Sequence, residues 1–101
     1  MKKFNVATQK WNQAAIGKWN AETFGESNTG IIGHFKEEVE EFLDDLDTPG
    51  EPMEAADIVI LLMVRAERKG YDLLGSVYKK MEINRRRKWL PPDKEGIVRH
   101  A

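Results

Sequence analysis

Apolar residues recur every three to four positions along this chain, and no segment sustains the alternation of a half-buried strand. A first helix is predicted from about Phe4 to about Thr23, with Trp11, Ala15 and Trp19 spaced four apart along it. Phe24-Gly25-Glu26-Ser27-Asn28 reads as a loop, and Asn28 or Thr29 is placed to cap the next helix. That second helix runs from about Gly30 to Leu46 on a stripe of Ile32, Phe35, Val39, Phe42 and Leu46. Pro49 and Pro52 prevent its continuation. A third helix begins near Met53 and ends before Gly70, a residue type suited to closing helices. Its middle, Ile58 to Val64, is apolar all round. Such a helix belongs at the centre, covered by its own chain on one side and by a second subunit on the other. Asp72 is placed to cap a fourth helix, from about Leu73 to Lys88, and Pro91-Pro92 lies beyond it. The expected architecture is an all-α four-helix bundle with mostly antiparallel neighbours. Residues 1–101 form one domain, and about 90–101 form an exposed C-terminal tail.

Composition narrows the function classes. A chain of 101 residues holds one small core, which makes oligomerisation an expectation. A net charge of −1 argues against a general nucleic-acid binder. The chain has no cysteine, which excludes disulfides, zinc–thiolate sites and thiol catalysis and fits a reducing cytoplasm. The N-terminus lacks an apolar signal core, and the run from Ile58 to Val64 is too short to span a bilayer. Gly25, Gly30 and Gly33 do not make a phosphate-cradling loop.

Two carboxylate clusters carry the chemistry. The first is Glu37-Glu38-Val39-Glu40-Glu41 and the second is Glu54-Ala55-Ala56-Asp57, with a breaker run between them. Residues at i and i+3 share a helix face, so Glu38 pairs with Glu41 and Glu54 with Asp57. Glu54 and Asp57 lie on the stripe that continues through Leu61 and Val64 into the core. Four gathered carboxylates would repel one another, and burial would make the charged forms costly. Mg²⁺ or Mn²⁺ resolves both problems, because hard cations take oxygen ligands. Glutamate-rich helix faces are common solvated surfaces. What favours a metal site is the pair of clusters flanking one turn, with the second running into the core. Glu40 and Asp44 point away and read as solvated.

The fourth helix is basic toward its end, and Lys80, Asn84 and Arg87 fall on one face. With Arg85 they suit outer phosphate oxygens and charge developing on a leaving group. The alternative is simple compensation of the helix dipole. Trp11, Trp19 and Phe24 are either core or a stacking surface for a nucleobase. His34 is either a structural hydrogen-bonder or a contact to base or sugar.

The order EExxE, short spacer, ExxD, basic helix resembles the MazG-like all-α nucleoside triphosphate pyrophosphohydrolases, over about Trp11 to Trp89. Three stretches look like the phage-type dATP/dGTP diphosphohydrolases, the MazZ-like subgroup: Trp19-Asn20-Ala21-Glu22-Thr23-Phe24-Gly25, Gly33-His34-Phe35-Lys36-Glu37-Glu38, and Lys80 through Trp89. The resemblance implies a four-helix unit that dimerises intimately, as an intertwined homodimer or homotetramer. It implies cleavage of a dNTP between the α- and β-phosphates, giving dNMP and pyrophosphate, with two or more Mg²⁺ or Mn²⁺ ions per site. Glu38, Glu41, Glu54 and Asp57 match the metal ligands, and Glu37 and Glu38 the acids that act on water. Lys80, Asn84, Arg87 and Arg85 match phosphate or nucleotide contacts, and Trp19, His34 and Trp11 are candidates for the base. The subgroup is associated with phages that replace adenine by 2-aminoadenine, where it removes dATP and supplies dGMP in the host cytoplasm. Stable nucleic-acid or membrane partners are not expected. A pyrimidine or house-cleaning pyrophosphohydrolase, a non-enzymatic helical oligomerisation module and a small nucleic-acid-binding bundle are the alternatives.

Overall fold

A computed structural model describes residues 4, 9–26 and 30–101. The described residues form four helices: α1 (Gln13–Phe24), α2 (Ile31–Asp44), α3 (Glu51–Lys69) and α4 (Leu73–Asn84). Helix α3 is central, with α1 and α2 packed along it and α4 docked more lightly.

Helix α1 starts later than its apolar spacing predicts. The Asn12 side chain accepts from the Ala15 amide at 2.9 Å, which satisfies one of the orphan donors of a helix start. Phe4 and residues 9–12 are not helical, and residues 5–8 lie outside the described residues. The expected caps Asn28 and Thr29 also lie outside them. Gly17 is buried against α3. A β-carbon there would stand 2.7 Å from Glu67 Cγ and 2.9 Å from its Cβ, so the residue's lack of a side chain sets how closely the helices approach.

The turn between α2 and α3 is tightly bonded. Thr48 Oγ1 donates to the Asp45 carbonyl at 2.7 Å, and the Gly50 amide donates to Thr48 Oγ1 at 3.2 Å. Asp47 takes a left-handed conformation, φ 64°, that Asp tolerates better than most residues, and its amide donates to Glu51 Oε1 at 2.9 Å. Pro52 does not precede α3 but sits in its first turn, where its missing amide hydrogen is harmless. Gly70 closes α3 in the left-handed region, φ 78°.

Helix α4 is held by a residue from α1. The Gln13 side chain donates to the Tyr71 carbonyl at 2.7 Å and to Glu67 Oε1 at 3.2 Å, and it accepts from the Leu73 amide at 2.9 Å. Asp72 occupies the N-cap position without a side-chain capping bond, and Gln13 satisfies a different orphan amide of the helix start, that of Leu73. Helix α4 ends at Asn84, four residues earlier than predicted, because the chain turns through Arg85–Arg87. The expected tail is exposed but folded. The Leu90 amide meets the Arg99 carbonyl and the Ala101 amide meets the Lys88 carbonyl, both at 2.8 Å. Asp93 organises the bend, accepting from Glu95 and Ile97 amides and pairing with Arg99 at 2.7 Å.

The protomer's own core is small: Leu61, Val64 and Ala66 are its fully buried apolar residues among those described. Val59, Ile60 and Leu62 of the apolar run stay partly open, as do Leu74, Val77 and Met81 of α4. The chain exposes 8418 Å², against about 5,800 Å² for a compact monomer of 11.6 kDa. Among the described residues, no helix is long and apolar enough to cross a membrane.

Gly17→Ala is expected to lower stability by about 1–3 kcal/mol, because Glu67 Cβ and Cγ are too close to its backbone to swing clear. Thermal unfolding checks this; an unchanged midpoint would show that the α1–α3 approach is loose.

Candidate metal centre

Of the two i, i+3 pairs expected to flank the α2–α3 turn, the structure brings together Glu38, Glu41 and Glu54, and leaves Asp57 outside the cluster. Glu38 and Glu41 lie on the last turns of α2, and Glu54 lies in the first turn of α3. There the helix dipole favours a negative charge. One carboxylate oxygen from each of Glu38, Glu41 and Glu54 lies within 4.8 Å of the other two. Asp57 is exposed, one turn farther along α3, and its charge is felt by both Glu38 and Glu54. Glu40 and Asp44 are exposed, as their spacing predicts.

The cluster is electrostatically unsatisfied. Glu38 Oε2 and Glu54 Oε2 are shielded from solvent and have no hydrogen-bond partner among the described residues. Burial pushes Glu38 above the ordinary carboxylate value, and the charges of Glu41 and Asp57 push it further. His34 Nε2 stands 3.2 Å from Glu38 Oε1 and works the other way. Glu54 is raised by burial first, then by Glu41, Asp45, Asp57 and Glu38. Carboxylates that withdraw from water without gaining donors are poor protein architecture but good ligands for a hard cation. With only oxygen donors converging, the set fits Mg²⁺ or Mn²⁺ and not a thiophilic metal.

Asp45, which the sequence reading did not name, lies outside the three-carboxylate group, but its charge is felt by Glu54. Asp45 Oδ2 lies 3.0 Å from where a Gly50 β-carbon would stand, which places its carboxylate over the start of α3. The signal was available, since Glu38, Glu41 and Asp45 follow i, i+3, i+7 along one face.

Beside the carboxylates lies a cleft of about 560 Å³ between the end of α1 and the start of α2. His34 and Glu37 line it from α2, Leu61 and Arg68 from α3, and Asn20 and Phe24 from α1. Arg68 Nη2 donates to Asn20 Oδ1 at 2.7 Å and to the Gly25 carbonyl at 2.8 Å. This pairing spans 48 positions, and no local pattern announces it. Trp11 and Trp19 line a separate apolar groove with Ile16 and Ile60. Ile60 is one turn beyond Asp57, so the groove borders the acidic end of α3. Trp19 also meets Phe24 edge-on, with ring centres 5.5 Å apart.

The basic residues stand elsewhere in the protomer. Lys80 is exposed on α4, and Arg85 is paired with Glu82 at 2.8 Å. Asn84 Oδ1 is shielded without a partner among the described residues, while its carbonyl accepts from Trp89 Nε1 at 3.0 Å. Arg87 is half-buried just past the helix. Among the described residues, no ion pair joins Lys80, Arg85 or Arg87 to the carboxylate cluster.

Comparison with known proteins agrees with this geometry. A solved structure of a cyanophage S-2L MazG-like pyrophosphohydrolase, bound to dGDP and three catalytic Mn²⁺ ions per active site, superposes with a TM-score of 0.71. It shares 32% sequence identity, and the match covers 88% of each chain. The dATP/dGTP diphosphohydrolase of cyanophage S-2L is 35% identical over 71 residues, which is 70% of this chain and 66% of that relative. The aligned part thus falls just short of two thirds of the relative's length. The sequence model of the dATP/dGTP pyrophosphohydrolases matches residues 10–101, nearly the whole chain and including the folded tail. With a shared all-α fold and a matched span that contains both acidic helices, the chain belongs to the dATP/dGTP pyrophosphohydrolase family.

Proposed function

We propose that the protein is a divalent-metal-dependent pyrophosphohydrolase that cleaves dATP and dGTP between the α- and β-phosphates, releasing dNMP and pyrophosphate. One observation carries the reading: carboxylates from two helices converge with shielded, unpartnered oxygens. Glu38, Glu41, Glu54 and Asp57 would hold Mg²⁺ or Mn²⁺, two or more ions per site, with Asp45 beside them. When bound, the ions supply neutralisation of the triphosphate and activation of the attacking water.

The remaining steps belong to the chain's own groups. Glu38 or Glu37 takes a proton from the water. His34, 3.2 Å away, steadies the Glu38 carboxylate. The water oxygen bonds to the α-phosphorus in line, the α–β bridging bond breaks, and its electron pair leaves on pyrophosphate. Lys80, Arg87 and Arg85, with Asn84, stabilise that departing charge. The groove of Trp11 and Trp19 and the cleft beside His34 offer aromatic or polar walls that can hold the base.

A homodimer or homotetramer completes the reading. The excess surface of about 2,600 Å² is of the size that obligate interfaces bury. It includes the far side of α3 and much of α4. Such an assembly would act in the host cytoplasm of a phage, lowering dATP and supplying dGMP for genomes built with 2-aminoadenine.

A panel of dNTPs and NTPs with Mg²⁺ or Mn²⁺ is expected to give monophosphate and pyrophosphate, with purine deoxynucleotides preferred. Diphosphate and orthophosphate would overturn the bond assignment, and equal pyrimidine rates would remove the purine preference. In the same assay Glu38→Gln and Glu54→Gln each lose about a thousandfold or more in kcat/KM while helicity is retained. Undiminished turnover would point to a helical module with a contaminating activity.

Raised carboxylates mean that the folded, metal-free chain binds more protons than the unfolded one just above 4.5. Their contribution to stability therefore falls as pH rises through that window. Metal requires the ionised forms, so the Mn²⁺-induced rise in Tm grows with pH from the carboxylate range toward neutrality. Differential scanning with and without Mn²⁺ at fixed protein concentration reads this, and a pH-independent rise would place the ion elsewhere. Light scattering is expected to give two or four protomers; a monomer at micromolar concentration would refute the shared core.

A further inference from the structure

Asn20 does no work in the mechanism above, yet it stands on the wall of the cleft beside the acidic helices with its amide oriented by a charged partner. An arginine side chain offers only donors, so the atom facing Arg68 at 2.7 Å must be the amide oxygen. The other end of the amide is then the NH₂ group, and it makes no hydrogen bond among the described residues. Arg68 in turn is anchored on the Gly25 carbonyl at 2.8 Å, which ties the amide to the loop that ends α1. The result is a two-donor group locked against flipping, which an unanchored asparagine would not be. Aromatic surface is close by: Phe24 lines the same cleft, and Trp19, adjacent to Asn20 in sequence, packs edge-on against it. The cleft also reaches the phosphate end, because His34 lines it and contacts Glu38.

A fixed donor without an acceptor reads only acceptors. Adenine and guanine differ at position 6, where one presents a donor and the other an acceptor, but both present the N7 acceptor. Pyrimidines have no such atom. We propose that Asn20, its amide held by Arg68, donates a hydrogen bond to purine N7 and so selects the purine class without choosing between adenine and guanine. Asn20 is the contact residue and Arg68 the positioning residue. The inference rests on the nucleotide reading above and deepens it: a donor at position 6 would split dATP from dGTP, whereas a donor at N7 joins them.

Replacing N7 by carbon removes the acceptor and leaves the rest of the base in place. The wild-type protein is expected to show a KM about tenfold higher for 7-deaza-dGTP and 7-deaza-dATP than for the parent nucleotides, with kcat little changed. Asn20→Ala should raise KM for dGTP by a similar factor and treat dGTP and 7-deaza-dGTP alike. Arg68→Ala, if it folds, should narrow the discrimination without abolishing turnover; if it does not, the Asn20 pair decides alone. A wild type that ignores the N7 substitution, or an Asn20→Ala variant that still senses it, overturns the proposal. Calorimetry with dGDP and 7-deaza-dGDP in Mn²⁺ asks the same question without turnover. A chain that hydrolysed nothing yet bound dGDP more tightly than its 7-deaza form would sink the hydrolase reading and keep this one. Equal affinities would sink this one whatever the chain hydrolyses.

Discussion

The repulsion among carboxylates at one end of the α2–α3 hairpin is the constraint around which the protomer is arranged. A helix pair left to itself would spread its carboxylates apart. Here the turn holds an oxygen each of Glu38, Glu41 and Glu54 together, while Glu41 and Asp57 stay exposed. Thr48, Asp47 and Glu51 lock the connection with short hydrogen bonds, and the apolar contacts of Leu61 and Val64 farther along α3 close the two helices on each other. The carboxylates are therefore brought together by packing, against their own electrostatics. Such a conflict between local preference and global fold marks a site whose stabilisation comes from a ligand. The orphaned oxygens of Glu38 and Glu54 locate it at atomic level.

The same helix explains why the protomer looks unfinished. Helix α3 must be acidic at its first turn, to meet the cluster, and apolar beyond it, to hold α1 and α2. Those two partners cover only part of its circumference. The remainder, with the open face of α4, is apolar surface that a chain of this length cannot fold over. Helix α4 illustrates the consequence. Its attachment depends less on buried area than on the Gln13 side chain, which bonds three groups around the α3–α4 turn. A helix held by its first turn leaves its basic end free to be set by what packs against it. That accounts for basic residues standing apart from the acids within one protomer.

Legibility in the sequence followed the range of the interaction. The four-helix order, the break between α2 and α3, the Gly70 stop and the approach of Glu38 and Glu41 to Glu54 depend on local spacing and turn chemistry that the sequence displays; Asp57, expected with them, stays outside the cluster. The start of α1 was misread because Trp11 continues an apolar rhythm that the Asn12 cap interrupts. The end of α4 was overextended because Arg85 to Lys88 are good helix formers, while Trp89 Nε1 reaches back to the Asn84 carbonyl and turns the chain. The tail is exposed as expected, and its fold leaves no periodic signal because it comes from Asp93 acting on residues two to six positions away and from the Leu90–Arg99 and Ala101–Lys88 backbone bonds. Asp45 was legible in principle, as the third member of a stripe whose first two members were recognised. The Asn20–Arg68 pair was not, since nothing in either neighbourhood implies the other.

This difference in range bears on how the proposed site could change substrate. The clustered acids are positioned by helix geometry and one hydrogen-bonded turn. The side chains proposed to meet the base depend on tertiary contacts for part of their placement: Asn20 through Arg68 and the groove through Ile60, both on α3, whereas Trp19 and Phe24 pack within α1 itself. A single exchange on α1 can alter that surface without touching the acids. Phosphate chemistry and base choice are thus mechanically separable in this fold, with the first written into local spacing and the second into tertiary contacts. It follows that a carboxylate pattern identifies the reaction more securely than it identifies the base, and that base preference has to be sought on α1 and along the cleft it shares with α2 and α3.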